Sequence, residues 1–170
     1  MPEQALLPLG PLTDRELLVA GAVAYWAEGA KAKPWRPSER VTFVNSDAGM
    51  IQLFMAYLDL LGVVPERLRL RILIHESADV LAAARYWSDI LMVPISVFQR
   101  PTLKRHSPLT NRKNVGVDYH GCLSVSILRS AALYRQIEGT WWAVRAAAQK
   151  SRTSDAGLPD HHEPAAGLTV

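Results

Sequence analysis

The stretch Leu68-Arg69-Leu70-Arg71-Ile72-Leu73-Ile74-His75 alternates branched apolar residues with mostly polar ones. Successive side chains of a strand point to opposite faces. Leu68, Leu70, Ile72 and Ile74 therefore face one way, and Arg69, Arg71, Leu73 and His75 the other. A sheet built on such a strand needs helices over one side and leaves its arginine side to solvent. Two further segments repeat the pattern. Residues 40–45 (RVTFVN) are rich in β-branched side chains, and residues 122–129 turn Leu123, Val125 and Ile127 one way and Ser124 and Ser126 the other. A short strand is expected near residues 102–105.

Helical segments lie between these strands. Thr13 and Glu16 have capping-box spacing ahead of an apolar run from Leu17 to Ala27, and Gly29 supplies the stop. Ser46 and Asp47 can cap a second helix whose stripe includes Ile51, Phe54, Met55, Leu58 and Leu61. A third is expected from about Asp79 to Leu91, stopped before Pro94, and a last one from Ser130, with a break or bend at Gly139. The expected fold class is α+β. Helices pack on one face of a mostly antiparallel sheet, with the other face open. The domain spans residues 13–150, after an N-terminal extension (1–12) and before a tail (151–170) whose Pro, Gly, Ser and His content reads as disordered.

With 170 residues, 49% of them hydrophobic, the chain can bury a core in one domain. Cys122 is the sole cysteine, which excludes an intrachain disulfide scaffold and a cysteine-rich zinc module. The N-terminal residues lack a signal-peptide pattern, and no apolar run is long enough to span a membrane, so the cytoplasm is the expected compartment. Net charge is only +3, yet all Lys and Arg precede Thr153, while Asp155, Asp160 and Glu163 follow it. Arg100, Lys104, Arg105, Arg112 and Lys113 fall within fifteen residues that contain no acid. Such a run favours polyanions through counterion release; the alternative is a solvated loop.

The exposed face collects Arg40, Thr42, Arg69, Arg71, His75, Ser124 and Ser126. Arginines, hydroxyls and imidazole reach phosphates and base edges, and a sheet can enter the major groove, so the surface suits double-stranded DNA. One-sided sheets also expose polar residues for solubility alone. In the first helix Gly21, Ala24 and Glu28 share one side, and small residues at that spacing let two helices approach closely. Glu28 places a carboxylate in the last turn, where it opposes the helix dipole. A divalent cation there would reverse that effect, and Lys31 or Lys33 would neutralise it.

The segment Gly21-Ala22-Val23-Ala24-Tyr25-Trp26-Ala27-Glu28-Gly29 resembles a divergent LAGLIDADG motif, the dimerisation helix of a class of homing endonucleases. The following Phe43-Val44-Asn45-Ser46-Asp47 into Ile51-Gln52-Leu53-Phe54 is similar to a strand-to-helix step of such domains. The likeness extends more weakly through Gly121 and residues 122–129 to Leu133-Tyr134-Arg135. It implies a concave basic sheet face open to DNA and a homodimer about a seam of Gly21, Ala24 and Gly29. It also implies a divalent cation, Mg2+, on Glu28 for phosphodiester cleavage, with Lys104 or Lys113 as charge stabiliser. Trp26 and the glutamate both depart from the usual motif. Transcription regulators of the same family keep the domain and do not cleave, so a metal-dependent endonuclease and a non-cleaving regulator both follow from the likeness. A protein-interaction domain with an acidic partner is the remaining class.

Other constellations are weaker. His106, Asn111, Asn114 and His120 lack the hairpin-to-helix context of a ββα-metal nuclease, no phosphate-loop pattern is present, and His161-His162 sits in the tail. Trp35 lies in a basic loop, where it can stack or wedge against DNA.

Overall fold

A computed structural model describes residues 10–33, 35, 37–105 and 119–155, the last four by backbone alone. In chain order these form α1 (Asp14–Glu28), β1 (Thr42–Asn45), α2 (Ala48–Leu60), β2 (Leu68–His75), α3 (Val80–Leu91), β3 (Phe98–Lys104), β4 (Cys122–Ile127) and α4 (Ala131–Asp155). Local chemistry sets the helix starts. The Thr13 hydroxyl accepts from Glu16 N–H while the Glu16 carboxylate accepts from Thr13 N–H, a complete capping box. The Thr13 N–H and the Thr13 hydroxyl both donate to the Glu16 carboxylate, at 2.7 and 2.8 Å, and hold its carboxyl below the ordinary range. Asp47 caps α2 through Met50 N–H, and Asp79 caps α3 through Ala82 N–H.

The fold is α+β with a four-stranded mixed sheet in the order β1-β4-β2-β3. β4 is inserted antiparallel between β1 and β2, so Phe43 lies opposite Val125 and Leu70 opposite Val125 on the other side. The expected alternation holds on both long strands. Leu70, Ile72, Ile74, Leu123, Val125 and Ile127 are buried, and they join Tyr25, Phe54, Tyr57, Trp87 and Ile137 from the four helices in one core. Two expectations need correction. β3 starts at Phe98 rather than near Thr102, and it runs parallel to β2, because α3 carries the chain back to the same end of the sheet. A register shift between Arg71 and Leu73 places the irregularity at Arg100 and Pro101, where an edge strand tolerates a missing N–H. α4 is also continuous through Gly139 and extends to Asp155, past the expected start of the tail.

α1 is wedged between α2 and α4. Against α4, Trp26 stacks on Trp141 at 5.7 Å between ring centroids and meets Trp142 at 6.3 Å. Against α2 the approach is closer. A Cβ on Gly21 would lie 2.1 Å from Cγ of Tyr57, so only a hydrogen fits. Tyr57 is fully buried, its hydroxyl has no hydrogen-bond partner among the described residues, and burial pushes its pKa up to about 12.

Two of the helical glycines, Gly21 and Gly139, should therefore respond oppositely to alanine. Gly21→Ala forces α1 and α2 apart and should cost about 1–3 kcal/mol. Gly139 has open space where a Cβ would go. Gly139→Ala should stabilise by about 0.4–1 kcal/mol, both read from urea unfolding midpoints at constant slope.

Candidate nucleic-acid interface

The sheet face turned away from the core is laid out in rows by the strand register. Thr42, Ser126 and Arg69 align across β1, β4 and β2; Val44, Ser124, Arg71 and Gln99 form the next row; Cys122, Leu73 and Thr102 the third. Side chains hold one another within rows. The Thr42 and Ser126 hydroxyls are 3.1 Å apart, and Arg71 Nη2 donates to Gln99 Oε1 at 3.1 Å. Arg69 Nη1 donates to the Glu66 and Leu68 carbonyls at 2.9 and 2.7 Å, which fixes the guanidinium while leaving donors free. Arg69, Arg71, Gln99, Thr102, Ser124 and Ser126, together with Arg40, Arg129 and the start of α4, line an open groove of about 730 Å³.

Charge on this face is one-sided. The four strands contain Arg69, Arg71, Arg100 and Lys104 and no Asp or Glu. Glu39 at the groove rim is ion-paired with Arg135 of α4. A groove with hydroxyl, amide and guanidinium donors and no free carboxylate on its strands suits an anionic, hydrogen-bonding partner.

The expected site residues divide into three groups. Arg40, Arg69, Arg71, Ser124 and Ser126 come together in the groove, and Thr42 adjoins it beside Ser126. Arg100 and Lys104 are exposed on edge strand β3, with Arg105 exposed just beyond it. Arg112 and Lys113, with His106, Asn111 and Asn114, lie outside the described residues. His75 is a correction. It has the expected register parity, yet its side chain is 6% exposed and its Nδ1 accepts from Ser77 N–H at 3.3 Å, with Ser77 Oγ 2.9 Å away. The imidazole closes the turn after β2 and offers little surface to a ligand. Gln99, Thr102 and Arg129 are groove residues the sequence reading missed. Gln99 was hidden by the shortened estimate of β3, whose clue was Val97-Phe98, and Thr102 lay in the expected strand but its side of the sheet depends on the register shift before it. Arg129 turns into the groove at a left-handed φ of 50°, which the sequence does not signal.

The end of α1 differs more sharply from expectation. Gly21 is filled by Tyr57 of the same chain, and Ala24 is 7% exposed. Gly29 is buried against the Tyr25 ring, where a Cβ would sit 2.5 Å from two ring carbons. The small-residue side is thus spent inside the monomer and cannot serve as a dimer seam. Glu28 is exposed at its end, and Lys31 does not pair with it. Lys31 Nζ instead donates to the carbonyls of Trp26 (2.7 Å) and Ala27 (3.4 Å) and lies 5.9 Å from the Trp26 ring centroid. The helix dipole is therefore met by a lysine.

A divalent cation such as Mg2+ is held by one or two carboxylates together with substrate phosphate oxygens and waters. Among the described residues no group of three His, Cys, Asp or Glu side chains could hold a metal ion. Gly29 bridges to Phe43 beyond β1, whereas Lys104 is on β3 at the far edge. That is four interstrand spacings, roughly 19 Å, too far for one phosphate to touch Glu28 and Lys104 of the same chain. Within one chain, the described residues around Glu28 do not by themselves supply a ligand set that fits the cation.

Comparison with protein-family models, with curated proteins and with solved structures finds no match.

If Lys31 is the helix cap, Lys31→Met should lower stability by about 0.3–1 kcal/mol. Glu28→Gln should leave it unchanged or slightly higher, since a carboxylate at that end opposes the dipole. Urea denaturation of the two variants at low ionic strength compares them directly.

Proposed function

We propose that this chain is a cytoplasmic DNA-binding domain that holds double-stranded DNA against its open sheet face without cutting it. This is the role of the non-cleaving regulator relatives of the LAGLIDADG-like family. The supporting observation is the sheet face, whose strands bear guanidinium and hydroxyl groups and no acid. Arg69, Arg71, Ser124, Ser126 and Gln99 stand on strands, so their positions are fixed well enough to read base edges. Lys104, Arg105 and Arg100 at the β3 edge serve the phosphates, which set affinity and its salt dependence. The binding-only reading is favoured over cleavage because the helix side that would bring Glu28 to its copy is already packed against α2.

A homodimer remains part of this proposal, with its seam moved. The outer side of α1 exposes Leu12, Val19 and Val23, beside the half-exposed Trp142 of α4. Glu28 follows Val23 by five residues, or about 140° around the helix, so a symmetric pairing through this stripe does not bring two Glu28 together.

Fluorescence anisotropy with a mixed-sequence duplex should show binding at low salt that weakens as salt rises. Lys104→Ala and Arg105→Ala should each lower the slope of log K against log salt by about 0.9. Arg71→Ala should instead alter sequence preference in a selection experiment. Plasmid should remain intact with magnesium present, and Glu28→Gln should bind like the parent. Retention no stronger than on a neutral matrix would sink the binding proposal, and nicking abolished by Glu28→Gln would restore the nuclease reading.

Light scattering at micromolar concentration tests the seam. The parent should be a dimer and Val23→Lys a folded monomer; a monomeric parent, with and without DNA, rules the dimer out.

A further inference from the structure

The connector from α1 to β1, residues 31–41, leaves and rejoins the fold at a single point. Ala30 N–H donates to the Thr42 carbonyl at 2.8 Å and closes its base. On the outgoing limb Ala32 N–H donates to the Tyr134 hydroxyl at 3.0 Å. On the returning limb Val41 N–H donates to Ser130 Oγ at 2.9 Å, and Glu39 pairs with Arg135. Both limbs are thus pinned to α4 or its first turn, and the segment is an Ω-type loop with fixed ends.

Trp35 stands near the middle of this loop and is 79% exposed. Burying an aromatic side chain stabilises a fold, and this one buries Trp87 completely and stacks Trp26 on Trp141. An indole left in water on a loop tied down at both ends therefore contributes little to folding. Its ring contact is Lys33, whose Nζ lies 5.6 Å from the centroid. The loop carries the cations Lys31, Lys33 and Arg40, while Glu39 is already paired. Arg40 is also part of the groove lining, so the loop's charge runs on into the sheet face.

We infer that Trp35 stacks on a nucleobase of DNA held in the groove, as a wedge or platform beside the strands that read it. The inference rests on the DNA-binding reading proposed above. A flat indole beside the Lys33 ammonium matches the two chemical features that recur in every nucleotide, a π-face and a nearby phosphate. An anionic lipid surface also takes tryptophan beside lysine. It is disfavoured because the loop continues into rows of Ser, Thr and Gln whose hydrogen-bonding groups have no use against lipid acyl chains.

The test uses the full chain with a mixed-sequence duplex and, separately, phosphatidylserine-containing vesicles. Parent protein is measured first. Failure of the parent to bind duplex at low salt overturns the DNA-binding reading itself, before any substitution is made. With parent binding in place, Trp35→Ala should weaken it roughly ten-fold or more, without changing the salt slope, since no charge is removed. Trp35→Phe should retain most of the affinity while losing part of the DNA-induced quenching of indole fluorescence. Arg40→Ala gives the contrast, a lower salt slope with the quenching intact. Equal affinity of Trp35→Ala and parent, with the same quenching, overturns the stacking role alone. Loss of vesicle binding with unchanged DNA binding overturns it too, and reassigns Trp35 to a lipid surface. Since Trp35 is exposed, unfolding midpoints of both variants should match the parent.

Discussion

The contact on which the arrangement depends is the seat of the Tyr57 ring against Gly21. A helix pair can approach this closely only where one partner has no Cβ, and the ring then occupies the space a side chain would take. That contact fixes the rotation of α1 about its own axis. Tyr25 then points inward, stacking on Phe54 at 5.8 Å and donating its hydroxyl to the Ala30 carbonyl. Trp26 turns to α4, and Val19 and Val23 turn to solvent. One steric fact thus decides which side of α1 is core, which is clasp and which is free.

The same contact determines what the end of α1 can do. A motif helix of small residues ending in an acid is compatible with two helices crossing between subunits or with two helices crossing inside one. Here the inside partner takes the small residues. Glu28 emerges exposed at the margin of a used face, and Lys31 caps the carbonyls beside it. Chemistry requiring two converging acids would have to come from a different pairing geometry, whereas binding through the sheet asks nothing of α1 beyond holding β1 in place. Gly29 does that, through its bridge to Phe43.

Much of this was legible along the chain, and the boundary is physical. Capping boxes, N-caps and period-two alternation act over a few residues, so α1, α2, α3, β2 and β4 could be read from their own segments. The separation of Leu70, Ile72 and Ile74 from Arg69 and Arg71 follows from pleating alone. Parallel pairing of β3 with β2 depends on where α3 delivers the chain, and it is not written in residues 98–104. Gly139 looks like a stop because glycine weakens an isolated helix, but α4 gains more from Leu133, Tyr134 and Ile137 in the core and from the tryptophan cluster than one glycine costs. His75 was misplaced for a related reason. Alternation assigns a side of the sheet, while burial at a strand end depends on the turn that follows, here through Ser77. The partner of Gly21 was the least legible, since a small residue advertises a close approach without saying to what.

The open face brings these points together. A central strand inserted antiparallel between two others aligns hydroxyls of β4 with a hydroxyl of β1 on one side and arginines of β2 on the other, giving rows of neutral donors beside cations. Mutual repulsion among guanidinium groups would favour acids nearby if stability were the sole requirement, as the Glu39–Arg135 pair illustrates on the rim. The strands carry none. Arg71 is instead oriented by a neutral amide, Gln99, and Arg69 by backbone carbonyls. Neutral partners hold a guanidinium in position without cancelling its charge, so the field over the groove stays positive and the side chains lose little further freedom when an anion arrives. A surface kept for solubility alone has no need of that combination of fixed geometry and uncompensated charge; a surface that must grip a polyanion in register does.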